Sequence, residues 1–491
     1  MANQFFARKS VEQLHAELAA ADRLHRVLGP FALTSLGVGA IIGAGIFVLV
    51  GLGARDFAGP SLMLSFVLAG IGCALAGLCY AEFAAMIPVA GSAYTYAYAT
   101  LGELFAWIIG WDLILEYAVA SCAVAHGWSK YFQAFLALYG FHLPPSLTMD
   151  PFTALSLHPD IVAGAVHVLG VPIIFDISAL VIVVLLTAVL VLGIRESAGL
   201  NTLIVLLKLG IILFVIIAGL PHVNPENWQP YFPNGLTGTL RGAAYIFFAY
   251  IGFDSISTHA EEARNPERDV PIALLGSLGL CTLLYIAVAA VLTGMVPTPQ
   301  INIDAPLADA FSQNGLPIAT TIIALGAVVG ITSVLLVMML SQARVLLAMA
   351  RDGLLPRWFF GAIHPRFKTP HYSTMLTGGL VAMVAALLPL EVLAEMVNIG
   401  TLFAFVIVCA AVLVMRRTRP EVRRPFRTPF VPLVPILGIA CNGLLMISLG
   451  WHNWLRLIVW LAIGMLIYWF YGRHHSRLHT GDVQDVHSAT R

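Results

Sequence analysis

Four charged side chains fall inside apolar segments of this chain, which is typical of a transporter or channel with a polar interior. Lys208 lies in the middle of the apolar segment 199–220, and Asp112, Glu116 and Asp254 lie at comparable depth in other apolar segments. An ammonium group at the centre of a bilayer costs about 2.5–3.5 kcal/mol on insertion scales. It is retained where it faces a polar interior with carbonyls or carboxylates. We therefore expect a polar pathway through a membrane.

The composition is that of an integral membrane protein. Of the 491 residues, 59% are hydrophobic and 11% are charged, and the mean hydropathy is +0.88. Soluble domains carry about 25% charged residues, so a water-soluble protein is excluded. The net charge of zero argues against nucleic acid as a partner. The six cysteines lack metal-site spacing, and the polar first 30 residues do not resemble a signal peptide.

Hydropathy predicts an all-α protein with twelve spans, each near the roughly 20 residues that a bilayer requires. The predicted spans are residues 31–54, 61–87, 102–126, 174–194, 199–220, 239–260, 270–295, 316–345, 372–390, 393–415, 431–450 and 453–471. The division between the last two rests on the loop-like residues from Gly450 to Asn453. The outer connection 127–173 is expected to carry a short surface helix.

The distribution of basic residues predicts that both termini lie in the cytosol. With the N-terminus inside, the predicted outer segments contain only Arg55, Lys130, Arg241 and Arg456. The other Lys and Arg residues outside the spans fall in cytosolic segments, as the positive-inside rule requires. An odd number of spans would remove this bias. The predicted regions are residues 1–30 (cytosolic), 31–220 (first repeat), 239–415 (second repeat), 431–471 (two further spans) and 472–491 (cytosolic tail).

Glycine interrupts the first helix of each predicted repeat. Span 1 holds four glycines between Gly37 and Gly45, and each weakens a helix by about 1 kcal/mol relative to alanine. Span 6 holds Gly252, followed by Asp254. Interruptions at matching positions are typical of inverted-repeat transporters with discontinuous helices. The alternative is that these glycines serve only as close contacts between packed helices.

A broken membrane helix has a defined chemistry. Unwound backbone is tolerated where it lines a cavity or is buried in protein. The freed N–H groups and the positive end of the following half-helix favour a carboxylate, while freed carbonyls favour an ammonium. Together they would bind the α-amino and α-carboxyl groups of an amino acid.

The chain resembles the amino acid–polyamine–organocation superfamily, and within it a bacterial-type member of the cationic amino acid transporter family. The similarity spans roughly residues 25–475. It rests on Gly39–Phe47, on Gly110–Tyr117, on Tyr250–Asp254 running into Glu261–Pro266, and on Arg351–Pro356. It implies a leucine-transporter-like fold, in which helices 1–5 and 6–10 form inverted repeats, helices 1 and 6 are discontinuous, and two helices follow.

The resemblance also implies a substrate site between helices 1 and 6, with helices 3 and 8 closing it. The N–H groups of Gly43, Ala44 and Gly45 would bind the substrate carboxylate. The implied ammonium ligands are the carbonyls of Ile41, Phe248, Ala249 and Ile251, with Phe248 as an aromatic lid on the outer side. Family members often have a hydroxyl residue where this chain has Ala44, so only backbone contacts are expected there. Met338 on helix 8 would narrow the side-chain pocket if it faces inward.

Lys208 matches the lysine that is thought to replace the coupling sodium ion in proton-coupled relatives. Burial favours the neutral form of a lysine and so allows it to exchange protons near working pH. The resemblance therefore implies proton coupling, or at least independence of sodium. In the structural alternative, Lys208 is satisfied by carbonyls of the helix 1 break at any pH.

The two acids Glu116 and Asp254 are predicted to bind a cationic side chain or to pass protons. Asp112 and Glu116 are four residues apart and share one face of helix 3. Without a partner such an acid would be protonated at neutral pH. Asp254 follows the helix 6 break, so it would alternatively cap the inner half-helix.

The expected function is import of small neutral or cationic amino acids across an inner or plasma membrane, as a proton symporter working by alternating access. The only expected coupling agent is the proton, with no metal and no other cofactor, and a small accessory membrane subunit is a possible partner. We find no His-Glu-x-x-His, Gly-x-Ser-x-Gly or phosphate-loop motif, which argues against an enzyme. An exchanger, a uniporter, a channel and a transporter-like sensor remain as alternatives. Substrate preference, stoichiometry and oligomeric state stay open.

Overall fold

The computed structural model describes residues 28–87, 92–193, 198–258 and 263–477. Most of the predicted N-terminal segment 1–30 and most of the predicted tail 472–491 lie outside these ranges. So do Glu261 and Glu262 of the family motif.

The structure is almost entirely helical. In the first half the helices are α1 (Pro30–Ile41), α2 (Val50–Leu52), α3 (Leu62–Met86), α4 (Ser92–Thr100), α5 (Glu103–Ala137), α6 (Pro151–Leu157), α7 (Pro159–Gly164), α8 (Ile177–Leu192) and α9 (Ala198–Gly219). In the second half they are α10 (Gly235–Ile246), α11 (Ser255–Thr258), α12 (Pro266–Met295), α13 (Pro306–Gln313), α14 (Pro317–Arg351), α15 (Arg357–Phe360), α16 (His371–Leu387), α17 (Leu390–Thr418), α18 (Leu433–Ser448), α19 (Trp451–Ile467) and α20 (Arg473–His475). A short antiparallel hairpin, β1 (His167–Val168) and β2 (Val171–Pro172), lies in the long loop before α8.

Local sequence signals explain several helix ends. Pro30 occupies the first turn of α1, where its missing N–H would have no intrahelical partner. Asp176 caps α8, because its carboxylate accepts a hydrogen bond of 3.0 Å from the N–H of Ala179. Gly450 has a φ of +83° between α18 and α19. The predicted division at this glycine is confirmed, although α19 begins at Trp451 rather than two residues later.

Several helices are long and apolar enough to cross a membrane. Among the described residues they are Gly45–Met86, Glu103–Ala137, Thr202–His222, Pro266–Met295, Pro317–Arg351, Leu390–Thr418 and Trp451–His475. The shorter apolar helices are Pro30–Ile41, Ile177–Leu192, His371–Leu387 and Leu433–Ser448. Each of the twelve predicted spans contains helix. The third is longer than predicted, since α5 continues to Ala137, and the connection after it carries α6 and α7.

Three pairs of helices that pack across the two halves are offset by five spans. α3 packs on α12, α5 packs on α14, and α8 packs on α16. In terms of the predicted spans these pairs are second with seventh, third with eighth and fourth with ninth. The broken parts of the first and sixth spans, Gly45–Leu49 and Phe247–Tyr250, also contact each other. The two breaks therefore meet in the interior of the bundle.

Candidate functional site

The first helix is interrupted at Ile42 and Gly43. α1 ends at Ile41, and Ile42 has an extended backbone with φ −74° and ψ 101°. Helix resumes with the π-helical turn Gly45–Leu49, which continues through α2 and a second π-helical turn, Gly53–Ala58. Ala44 precedes this half-helix, and no side chain caps it. Since the first N–H groups of a helix lack intrahelical acceptors, the predicted carboxylate-binding amides lie at a positive helix end.

Every glycine in this part of span 1 is also in close contact with another helix. A Cβ at Gly37 would lie 2.3 Å from Ile256 Cδ1, and one at Gly39 would lie 2.5 Å from Val205 Cγ2. At Gly45 the Cβ would lie 2.3 Å from the Cα of Ala249. These glycines therefore allow close packing between helices, and the helix is also broken among them.

The sixth helix is interrupted over more residues. α10 ends at Ile246, and the 3₁₀ turn Phe247–Tyr250 follows. Ile251 is extended, and Gly252 has a φ of +108°. A Cβ at Gly252 would lie 2.9 Å from the carbonyl oxygen of Ala40, so glycine is required there both by backbone conformation and by space. Phe248, Ala249 and Ile251 are buried where the two breaks meet.

Two of the four carbonyls implied as ammonium ligands face one hydroxyl. The Tyr285 hydroxyl on α12 lies 2.9 Å from the carbonyl oxygen of Ile41 and 3.0 Å from that of Ala249. Because a hydroxyl carries one hydrogen, it can donate to only one of these carbonyls at a time. The other keeps a lone pair for a further donor. The Phe248 carbonyl accepts the N–H of Ile251 at 3.1 Å, within the 3₁₀ turn.

Lys208 reaches the helix 1 break from α9. Its ammonium donates a hydrogen bond of 2.7 Å to the carbonyl of Gly39, and only 1% of the residue is exposed. The side-chain stem lies against α14, because a Cβ at Gly330 would be 3.4 Å from Lys208 Cγ. Lys208 therefore lies where the first, fifth and eighth predicted spans meet. This geometry fits both the coupling role and the structural alternative.

The acids Asp112 and Glu116 of the third predicted span and Asp254 of the sixth are buried. Asp254 directly precedes α11, and its carboxylate accepts a hydrogen bond of 3.1 Å from the Tyr117 hydroxyl. Both oxygens of Asp112 and one oxygen of Glu116 are buried without a hydrogen-bond partner among the described residues. Met338 is buried on α14.

The sequence is similar to those of known membrane permeases. Residues 28–471 match the family described as amino acid permease. The methylthioribose transporter of Bacillus subtilis (strain 168) is 45% identical over 476 residues, covering 97% of this chain and 99% of that protein. A branched-chain amino acid permease of the same organism is 46% identical over 479 residues, covering 97% and 100%. The vacuolar cationic amino acid transporter 4 of Arabidopsis thaliana is 31% identical over 612 aligned positions, covering 100% and 99%.

The chain belongs to the amino acid permease family. The predicted membership of the amino acid–polyamine–organocation superfamily is confirmed, and the chain is a multi-pass membrane permease for amino acids or related solutes. The permease family is a family of transporters and not of enzymes, as the absence of catalytic motifs indicated.

The permease also holds its broken helices with two residues that the sequence did not single out. One is Tyr285, which lies deep inside the seventh span, whereas tyrosines in membrane proteins concentrate at the interfaces. That unusual depth was the available signal. The other is Asn398 on α17, whose amide donates to the carbonyls of Ala244 at 2.9 Å and Tyr245 at 2.7 Å. Its only sequence signal was a polar side chain within an apolar span.

Proposed function

We propose that this permease imports neutral amino acids together with protons, by alternating access around the meeting point of the two broken helices. The observation that carries the proposal is the hydrogen bond from buried Lys208 to the carbonyl of Gly39. It connects an ionisable group to the last turn of α1, directly before the break. Gain or loss of a proton at this amine would strengthen or weaken the attachment of helix 1 to helix 5.

The substrate would bind through its α-amino and α-carboxyl groups. The positive helix end at Gly43, Ala44 and Gly45 suits the carboxylate. The ammonium would bind to the Ile41 or Ala249 carbonyl that the Tyr285 hydroxyl leaves unpaired. This polar pairing supports an α-amino acid without requiring a charged side chain.

The substrate side chain is proposed to be neutral and apolar. The relatives at 45% and 46% identity are named for methylthioribose and for branched-chain amino acids. The relatives named for cationic amino acids have 31–40% identity. Tyr117 already donates to the Asp254 carboxylate, which reduces its availability for a cationic side chain. Asp254 and Glu116 are assigned to proton movement instead.

The proposal includes the twelve-span architecture with inverted repeats 31–220 and 239–415. The offset of five spans in three helix pairs supports it, because a pseudo-two-fold axis brings corresponding helices of two repeats together. Both termini are assigned to the cytosol of a cell membrane on the distribution of Lys and Arg residues.

The test is uptake of labelled leucine into proteoliposomes that contain the purified permease. The liposomes carry an inward pH gradient, an inward sodium gradient, or neither. Unlabelled alanine, arginine and methylthioribose compete in parallel. We expect accumulation driven by the pH gradient alone, with alanine competing more strongly than arginine.

Three results would change the proposal. Sodium-driven accumulation would overturn the role given to Lys208. Uptake that occurs only against preloaded amino acid would indicate an exchanger. Inhibition by methylthioribose but not by any amino acid would move the substrate from amino acids to thiosugars.

A further inference from the structure

Asn398 binds a carbonyl near the end of α10 at the same distance from the helix end as the carbonyl of α1 that Lys208 binds. α1 ends at Ile41, and Lys208 binds the carbonyl of Gly39, two residues before that end. α10 ends at Ile246, and Asn398 binds the carbonyl of Ala244, again two residues before the end, together with that of Tyr245. The last carbonyls of a helix have no intrahelical donor. Both side chains therefore satisfy the carbonyl end of a first half-helix.

The two donors also come from corresponding helices. Lys208 lies on α9, the fifth predicted span, and Asn398 lies on α17, the tenth. Under the proposed inverted repeats these are corresponding helices. The match therefore includes the donating helix, the accepting half-helix and the distance from its end.

The amide nitrogen of Asn398 can satisfy both carbonyls, while its Oδ1 is buried without a hydrogen-bond partner among the described residues. A carboxamide carries two N–H hydrogens, and each is directed to one of two consecutive carbonyls. The residue is fully buried, and a carbonyl partner can accept only from the amide nitrogen, which fixes the orientation of the amide. Phe405, farther along α17, adds edge contacts to Phe247 and Phe253 on both sides of the break, at centroid distances of 5.5 and 5.2 Å.

We propose that Asn398 is a positioning residue that fixes the helix 6 half of the substrate site, as the charge-neutral counterpart of Lys208. It acts through the backbone of Ala244 and Tyr245, which sets the start of the turn containing Phe248 and Ala249. Since a carboxamide does not titrate, this attachment stays intact whatever the protonation state of the permease. The inference deepens the proposed function and rests on it for the transport readouts only.

The first experiment compares Asn398→Asp with the parent permease across pH. A protonated aspartic acid has one O–H that can donate to one of the two carbonyls, whereas a carboxylate has no hydrogen to donate and repels both. We expect leucine uptake by Asn398→Asp, relative to the parent at each pH, to be highest at low pH and to fall as pH rises. Asn398→Ala lacks a donor at every pH, so its KM should be raised about five- to ten-fold with no such dependence.

The nearby titratable groups are common to the variants and the parent. Asp112 and Glu116 on α5 face α17, and Glu391 and Glu395 occupy the first two turns of α17. Normalising to the parent at each pH removes their contribution. A change that appears only in Asn398→Asp therefore reports on position 398.

Asn442 on α18 provides a matched control. It is also fully buried, and its amide also donates to two backbone carbonyls, those of Gly72 at 3.3 Å and Gly438 at 2.8 Å. It does not bind either broken helix. Asn442→Ala and Asn442→Asp should lower thermal stability while leaving KM and its relative pH profile close to those of the parent.

A second readout does not depend on transport. Hydrogen exchange followed by mass spectrometry should show faster exchange in residues 244–252 of Asn398→Ala and unchanged exchange in residues 37–45. Unchanged exchange in 244–252, or a relative pH profile of Asn398→Asp that is as flat as that of Asn442→Asp, would overturn the positioning role. A parent that transports no leucine would contradict the proposed function, and the exchange experiment would still decide the role of Asn398.

Discussion

The two halves of the permease end their first broken helix in the same register but hold it with different chemistry. In the first half, the Lys208 amine donates one hydrogen bond of 2.7 Å to a carbonyl of helix 1. In the second half, the Asn398 carboxamide donates two, of 2.9 and 2.7 Å, to carbonyls of helix 6. An amine can release a proton and a carboxamide cannot. The comparison teaches that matching carbonyls at the ends of two half-helices can be held by an ionisable donor in one half and by a non-ionisable donor in the other.

The largest expected effect comes from removing the first attachment. Lys208→Ala should abolish gradient-driven accumulation of leucine, because the Gly39 carbonyl loses its donor and helix 1 loses the amine that would exchange the proton. Lys208→Arg should fail as well, since a guanidinium stays charged at working pH. The measurement is the accumulation ratio in proteoliposomes under an inward pH gradient.

Two outcomes would contradict the assignment of Lys208 as the proton-responsive attachment. If Lys208→Ala concentrates substrate like the parent, the coupling role of Lys208 is wrong. If Lys208→Arg does so while Lys208→Ala does not, the structural alternative is correct, and both halves then use permanent attachments.

The next effect concerns the place where the two breaks touch. In Gly45→Ala the new methyl group would lie 2.3 Å from the backbone Cα of Ala249, whereas in Gly43→Ala it would lie 2.9 Å from a methyl group of Val334. A side chain can move more easily than backbone. We expect Gly45→Ala to weaken the free energy of substrate binding by about 3 kcal/mol, or about 100-fold in affinity. Gly43→Ala should weaken it by about 1 kcal/mol.

Leucine binding by both variants should be measured together with their melting temperatures. Equal losses of affinity for Gly43→Ala and Gly45→Ala would show that contact between the two breaks does not set the site. A loss that follows melting temperature alone would assign both glycines to packing.

The smallest effect on substrate binding is expected from removing the Tyr285 hydroxyl, which faces a carbonyl of each half. Tyr285→Phe keeps the ring contacts with Phe66 and Tyr250 but removes the donor shared by the carbonyls of Ile41 and Ala249. The expected result is a KM raised about five-fold, with a pH dependence like that of the parent.

Tyr468→Phe is the control for this variant, because its buried hydroxyl donates to Glu103, which lies outside both breaks. A change in proton coupling for Tyr285→Phe would contradict this expectation. It would place a proton-responsive group between the halves rather than in the first half alone.

Hydropathy and motif spacing were sufficient for much of the architecture. The segments that form helix, the division at Gly450 and the breaks near Gly43 and Gly252 follow from local composition. Local composition determines how a segment partitions into lipid and whether its backbone can stay helical. Family membership followed from the same residues.

Which side chain meets which carbonyl depends on how the helices are rotated and packed. The structural alternative for Lys208 placed it against carbonyls of the helix 1 break, but Gly39 could not be chosen among them, since they lie about 170 residues away in the chain. Asn398 and Tyr285 were missed because an uncharged polar residue within an apolar span is compatible with many partners, including its own helix.

The sequence alone therefore determined the membrane-embedded helical class, the presence of charged groups within apolar segments and the positions where two helices break, because these depend on residues close together in the chain. Only the tertiary structure decided that a lysine and an asparagine hold the two half-helices in matching register. Hydrogen bonds of about 3 Å between distant segments depend on the rotation of each helix, and no local pattern of the sequence fixes that rotation.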